Sequence, residues 1–490
     1  MDKSIVSENK ISSDAKISEE KSKKRAAELK ASTAQAKKTK SASDESEKNH
    51  ILSAQEQGAI EASIVDELNR TLAIVHTSST YILIEKDEIE FVLDSKTSLL
   101  ILYENQVVPE LCSNNFKKLT TKAHIWLRSP HRRTYKNIVF NPKIPGHYDG
   151  NFNIWKGFAV KPVKGDCSLF WDHVKVIICG RNEVHYIYVR KWLAHLTQKP
   201  WIIATALVLR GKQGTGKGTF VEAIGKLLGP HYAPLSSLDQ ILGRFNSHLK
   251  NAILIFADEA IWGGNKREVG ALKSLITEPR LFIEAKGKDG YWIDNFKHLI
   301  VSSNEDWAVH LDPDDRRFFV LDISADRKED FDYFGKIREQ LENGGYEALM
   351  HDLLHEDLTG FDPKVMPENY AGFDMKLESA SSIDRFIHTS LKEGCWDHGC
   401  TGPSESLKDL TIEKFYEFYR AWCDWEKQPV LKREVVGKRL RAILPGIKTK
   451  RTPREENPRR PTMYLFSSLE ECRISFEKFY KQSPEIWEWS

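Results

Sequence analysis

The chain has 490 residues, 72 Lys and Arg against 70 Asp and Glu for a net charge of +2, and 40% hydrophobic residues. That length suits about three domains, and the near-neutral balance excludes a globally basic nucleic-acid binder, so any such contact must come from local patches. No stretch approaches the ~20 apolar residues of a membrane span, the N-terminus lacks the apolar core of a secretory signal, and the seven scattered cysteines read as reduced thiols of a cytoplasmic protein. Cys395, His398 and Cys400 lie close together. No fourth zinc ligand accompanies them, so a plain loop is expected.

Residues 1–55 are mostly Lys, Ser, Glu and Ala. Such a segment buries too little apolar surface to offset its ordering entropy, and a disordered charged tail is expected. Residues 56–200 read as an α+β module. Ile60, Ile64, Leu68 and Leu72 have helical spacing, and the runs 81–84, 89–93 and 99–103 look like a small sheet. A helix-like piece at 119–127, a basic stretch at 128–136 and an Asn-, Gly- and aromatic-rich loop at 141–158 follow. A helix over 184–197 ends before Pro200.

Residues 201–325 alternate apolar runs with helical segments, the pattern of an α/β layer. The run 202–209 leads into Gly211-Lys-Gln-Gly-Thr-Gly-Lys-Gly-Thr219 and then a helical pattern. Strand, glycine-rich turn and helix make a phosphate cradle, with backbone N–H groups converging at the positive end of a helix dipole. Gly211, Gly214, Thr215, Gly216, Lys217, Gly218 and Thr219 are the nucleotide-binding candidates, and Lys217 sits where it can reach the β- and γ-phosphates of ATP. Gly218 occupies the usual Ser/Thr position, leaving Thr219 as the candidate hydroxyl for Mg²⁺.

A second run, 252–257, ends in Asp258-Glu259. Asp258 would hold Mg²⁺ through water, and Glu259 would activate the attacking water. A third run, 298–303, ends in Asn304, an amide able to bond that water or the γ-phosphate. Arg316 and Arg317 precede the run 318–323; either could reach a neighbour's γ-phosphate, or simply pair with Asp312, Asp314 or Asp315. Gly287 and Asp289-Gly290 supply turn chemistry for a hairpin over 283–293. It carries Lys286, Lys288 and Tyr291, cations with an adjacent aromatic that suit single-stranded DNA. Lys273, on the preceding helix, is a further candidate for that contact.

A helical lid broken at Gly344-Gly345 and a linker fill 326–380, and a third unit spans 381–490. Ile412, Phe415, Tyr419 and Trp422 lie on one helical face, a second helix over 431–444 stops at Pro445, and 447–451 can pair with 462–466. Ser468 and Glu471 form a capping box for a last helix. Helices followed by a two-stranded hairpin give a winged-helix-like domain. Residues 431–460 hold eleven Lys and Arg against three Glu. Lys438, Arg439, Arg441, Lys450 and Arg451 are its candidate phosphate contacts; the plainer alternative is a surface for an acidic protein.

The motif order through 211–219, 252–259, 273–288, 302–304 and 316–317 resembles superfamily 3 helicases, closest to the helicase portion of phage and poxvirus-type primase-helicases. The segments Asn153-Ile-Trp-Lys-Gly-Phe158, Gly243-Arg-Phe-Asn246 and Asp315-Arg-Arg-Phe-Phe319 add to the likeness. The resemblance implies a P-loop ATPase core of AAA+ type and ATP-driven translocation on single-stranded DNA by a homo-hexamer, in replication of a phage or mobile element inside a bacterial host. No primase module is visible, so a separate primase is the expected partner. The alternative is a ring ATPase that loads or remodels DNA complexes. A small-molecule phosphotransferase lacks the Asp258-Glu259, Asn304 and Arg316 series, and only Gly218 favours a degenerate, non-catalytic site.

Overall fold

The computed structural model describes residues 54–481 and 489, apart from 78, 87–89, 112–116, 238–239, 241, 260–265, 288–289, 306–307, 398–406 and 453–459. The charged tail, Lys288, His398 and Cys400 thus lie outside the described residues. The chain forms two compact units, residues 1–73 with 93–133 and residues 74–92 with 134–490.

In the first unit, helix α1 (Ala54–Asn69) buries Ile64, Val65 and Leu68. It ends before Leu72, which the helical spacing had included; Leu72 opens strand β1 (Leu72–His76) instead. Asn69 explains part of the stop, since its amide oxygen accepts from Trp126 Nε1 at 2.9 Å and Arg133 N at 2.8 Å. The run 99–103, expected as a strand, lies in helix α2 (Lys96–Leu102), whose N-cap Ser95 accepts from Ser98 N. Strands β4 (Val107–Leu111) and β5 (Lys117–Thr121) pair antiparallel, and α3 (Lys122–Arg128) buries Ala123, Ile125 and Trp126.

The second unit carries, besides the end of β1 and the start of β3 (Phe91–Asp94), strands β2 (Thr80–Glu85), β6 (Thr134–Tyr135), β7 (Asn137–Val139) and β8 (Asn151–Asn153). Helix α4 (Ser168–His173) runs into a π turn, and α5 (Glu183–Gln198) buries Tyr188, Trp192 and Leu196. Tyr188 Oη bonds Thr205 Oγ1 at 2.6 Å, and Trp192 Nε1 donates to Thr205 O at 2.8 Å, so residues 183–205 pack with the central sheet.

That sheet is all parallel, in the order β10 (Tyr232–Leu235), β11 (Leu254–Asp258), β14 (His298–Ser303), β9 (Ala206–Arg210), β15 (Phe318–Asp322). Its central strands are buried nearly throughout, which is why they read as unbroken apolar runs. Helices α6 (Lys217–Leu228) and α7 (Lys266–Leu275) belong to this layer, and β12 (Arg280–Ile283) with β13 (Tyr291–Asp294) forms the expected hairpin. Helices α8 (Phe331–Gln340) and α9 (Tyr346–His355) are separated at Gly344, whose φ is +95°. Helix α10 (Tyr370–Glu378) packs Ala371 and Met375 into the core of the sheet.

The C-terminal elements are α11 (Ser382–Glu393), β16 (Leu410–Thr411), α12 (Ile412–Trp425), α13 (Arg433–Ile443), β17 (Lys448–Arg451), β18 (Thr462–Leu465) and α14 (Leu469–Tyr480). The strands form an antiparallel sheet, β16-β18-β17, over a core that includes Phe386, Phe415, Tyr419, Leu440 and Phe476. The Ser468–Glu471 capping box is present. Cys167, Cys179, Cys423 and Cys472 are free and buried. Cys395 is disulfide-bonded, so the reading of every cysteine as a reduced thiol does not hold for it. No described helix is long and apolar enough to cross a membrane.

Candidate functional site

Three adjacent strand ends build the site. β14 lies between β9 and β11, so their C-terminal ends bring Lys217, Asn304 and Asp258-Glu259 together. Lys217, just after the glycine loop, donates to Gly211 O at 2.5 Å, Lys212 O at 2.9 Å and Asn304 Oδ1 at 2.9 Å. Asn304 Nδ2 in turn donates to Glu259 Oε1 at 2.8 Å. Burial lowers the pKa of the Lys217 ammonium, and Asp258 and Glu259 pull it the other way. Ser302 Oγ donates to Asp258 Oδ1 and fixes that carboxylate from the neighbouring strand. Glu259 itself has φ +52°, a left-handed conformation that costs a non-glycine residue about 1 kcal/mol or more and recurs at active sites.

The glycine loop needs its glycines for contact as well as conformation. Gly216 has φ +93°, and a Cβ there would meet the rings of His173 and Phe334 at 2.5 Å. His173 Nε2 lies 3.2 Å from Gly216 O, and Tyr333 Oη 3.3 Å from His173 Nδ1. Burial pushes the His173 imidazole down to about 4. It is neutral at pH 7, with Nε2–H donating to the Gly216 carbonyl and Nδ1 accepting from Tyr333. Gly214 (φ +78°) accepts on its carbonyl from Glu329 N at 3.0 Å. Thr215 is 1% exposed and donates to Lys212 O at 2.8 Å, a bond that shapes the loop. Thr219 is half-buried, while a Cβ on Gly218 would meet only Glu222 Oε1, at 3.9 Å. His173 and Tyr333 were missed in the sequence, and Ser302, although inside the 302–304 motif, was given no role, because nothing local marks them as partners of the loop or the acid.

These residues fit a nucleotide triphosphate: the loop leaves no room for side chains at Gly216, and a lysine, two carboxylates and an amide converge beside it. No group of three or more described His, Cys, Asp or Glu residues could hold a metal alone.

The two arginines differ. Arg317 Nη1 lies 3.5 Å from Asp315 Oδ2. Arg316 is exposed and makes no hydrogen bond or ion pair among the described residues. Lys273, read as a DNA contact, is instead held between Asp312 at 2.5 Å and Asp315 at 2.9 Å.

On the hairpin, Gly287 takes φ +74° at the turn beside exposed Lys286. Tyr291 does not sit at the tip: it pairs with Ile283 and is half-buried, and burial raises its hydroxyl pKa. The exposed aromatics are Trp292 at 55% and its cross-strand partner Phe282 at 40%, with ring centroids 5.3 Å apart and the Arg280 guanidinium 5.8 Å from Trp292. Asn246 anchors this strand, donating to Phe282 O at 2.8 Å and accepting from Glu284 N at 2.9 Å.

In the C-terminal elements, Lys438, Arg441, Lys450 and Arg451 are exposed, and all of β17 is exposed on an edge. Arg439 is a correction: it grips Asp384, which is fully buried, at 2.8 and 2.5 Å, and Tyr480 Oη donates to the same carboxylate at 3.0 Å. Its charge holds α11, α13 and α14 together.

The chain has relatives. Over 141 residues the chain is 31% identical to the DNA primase-polymerase of Nitratiruptor phage NrS-1, a match spanning 28% of this chain and 20% of that protein. Two apo structures of the NrS-1 C-terminal region share its fold. One has a TM-score of 0.54 at 18% identity, covering 85% of this chain and 89% of that one. The other has a TM-score of 0.57 at 17% identity, covering 82% and 98%. Residues 209–317, from the phosphate-loop strand to the two arginines, match the family of unknown function DUF5906.

Proposed function

We propose that this chain hydrolyses ATP to move on single-stranded DNA, as a replicative helicase of a phage or mobile element. The observation that carries this reading is the hydrogen-bonded series Lys217–Asn304–Glu259 across three neighbouring strand ends. Lys217 and the Gly211–Thr219 backbone hold the triphosphate, Glu259 takes the proton of the attacking water, and Asn304 couples the two. Asp258, with Thr219, would hold Mg²⁺, which neutralises phosphate charge when bound. The strand order, with one strand inserted between the loop strand and the acid strand, supports an AAA+ type core.

DNA contacts fall on two surfaces. Lys286 and the exposed Trp292 offer charge and a stacking face on the hairpin, and Trp292→Ala should weaken single-stranded DNA binding about tenfold, within the ~1–3 kcal/mol of one stacked base. The helix–strand–helix–helix–strand–strand order of the C-terminal elements supports a winged-helix reading with α13 and β17 as its basic face. Alanine at Lys438, Arg441, Lys450 and Arg451 together should cut DNA affinity and flatten its salt dependence by about 0.7–0.9 log unit per lost phosphate contact. An unchanged slope would assign that face to another partner. A separate primase and a homo-hexamer complete the proposal.

The deciding experiment is ATP hydrolysis with and without single-stranded DNA, beside unwinding of a forked duplex. Stimulated hydrolysis with unwinding is expected. Stimulation without unwinding would replace the helicase by a loader or remodeller, and no hydrolysis with intact nucleotide binding would reject both.

A further inference from the structure

Helix α6, which opens at the phosphate loop, carries an acid that the series Lys217–Asn304–Glu259 leaves unused. Gly218 stands where such a loop ordinarily offers a hydroxyl to Mg²⁺. The space beside it is open: beyond its own stretch of helix backbone, a Cβ there would meet only Glu222 Oε1, at 3.9 Å. Glu222 lies four residues further along α6, so the two positions share one face, one turn apart. Side chains on a helix lean toward its N-terminus, which carries this carboxylate back over Gly218 and toward the loop. Thr219, the next residue, is turned about 100° away from that face.

Two further observations bear on this carboxylate. Tyr232, on β10, packs its ring against Gly225 of α6, where an added Cβ would meet it at 2.5 Å. Burial raises the pKa of the Tyr232 hydroxyl, and the charges of Glu222 and then Asp258 raise it further, so both acids flank one phenol. Asp258 ends β11, the strand beside β10. Glu222 is also uncommitted. It is exposed and makes no hydrogen bond or ion pair among the described residues. Lys226 lies at i+4, the spacing at which a glutamate readily pairs with a lysine, and that pair is not formed. Glu222 turns to the loop instead.

We propose that Glu222 supplies the oxygen that Gly218 lacks, and that with Asp258 it holds the Mg²⁺ of a bound nucleotide. Mg²⁺ is usually bound by one or two carboxylates together with substrate phosphates and water, and two acids beside a phosphate cradle meet that requirement. Glycine at 218 and glutamate at 222 then form one device: the missing side chain leaves room for a longer one from the next turn. The inference rests on the ATPase reading above. Without a metal the same carboxylate sets a negative charge beside the phosphates and opposes their binding.

A fluorescent ATP analogue titrated into the full chain, once with Mg²⁺ and once with EDTA, tests this. Wild type should bind more tightly with Mg²⁺. In Glu222→Gln the affinity with Mg²⁺ should fall, whereas the affinity in EDTA should hold or rise, because the repelling charge is gone. The affinity of the nucleotide complex for Mn²⁺, read by EPR, should fall about 10–100-fold in that variant, the range for loss of a group that supports a bound metal. The melting temperature should not change, since Glu222 is exposed. Gly218→Ser added to Glu222→Gln should restore most of the metal dependence, because serine returns a hydroxyl to that place. Affinities that fall together with and without metal would make Glu222 structural and overturn the proposal. So would a metal dependence that Glu222→Gln keeps and Thr219→Val loses, which gives the role to that hydroxyl. A wild-type chain that binds no nucleotide in either condition fails the ATPase reading and this inference with it; nucleotide binding whose metal dependence ignores Glu222→Gln fails this inference alone.

Discussion

Glu259→Gln should lower ATP turnover by about 10²–10⁴-fold, the range for loss of a general base, with nucleotide affinity nearly unchanged. The amide keeps an oxygen where Asn304 Nδ2 now donates at 2.8 Å, so the Lys217–Asn304–Glu259 series survives while the proton acceptor is lost. Hydrolysis assays beside titration of a fluorescent ATP analogue check both halves, and turnover within threefold of wild type would remove Glu259 as the base. Glu259→Gly adds a second readout. With φ at +52°, glycine relieves a conformation that costs glutamate about 1 kcal/mol. That variant should melt no lower than wild type although it too is inactive. A residue whose removal favours the fold while ending turnover is kept for chemistry.

What was legible in the sequence follows the range of the forces involved. Strands buried on both faces leave unbroken apolar runs, so β9, β11, β14 and β15 could be read, and with them the order of loop, acid pair, amide and arginines. A short apolar run has no such mark: residues 99–103 suited a strand equally well until Ser95 capped them as a helix. The hairpin was foreseen from its glycines, but its exposed face was not. Side chains alternate along a strand, and the register that pairs Ile283 with Tyr291 turns Trp292 outward. Lys273 and Arg439 show the limit for charges. Their partners lie 39 and 55 residues away, so a basic residue in a basic stretch gave no sign of already being held. His173, 43 residues before the glycine whose carbonyl it binds, was hidden for the same reason.

Arg316→Ala should cost about 10³–10⁵-fold in turnover, the contribution of an arginine that stabilises the transferring phosphoryl group from a neighbouring chain, whereas Arg317→Ala should leave turnover within tenfold. The distinction comes from what each side chain is doing. Arg317 is partly spent on Asp315, a carboxylate 1% exposed that also holds Lys273. Losing it should lower stability by at most about 1 kcal/mol, because Lys273 remains. Arg316 is exposed and uncommitted. It precedes β15 at Phe318, which pairs with Ala206 at the start of β9. Its own phosphate loop follows Arg210, a five-residue strand further on, roughly 16 Å at about 3.3 Å per residue. An arginine side chain does not span that distance along the sheet, so Arg316 can serve only a nucleotide presented from outside its own chain. That requires a heterologous contact between copies, the kind that closes into rings. Mixing Arg316→Ala with Lys217→Ala, each inactive alone, should therefore restore part of the hydrolysis: in the mixture an intact Arg316 can meet an intact phosphate loop across the interface. Absence of any recovery, with both variants folded and co-assembled by light scattering, would place Arg316 outside the site. A large loss from Arg317→Ala would move the role one residue along.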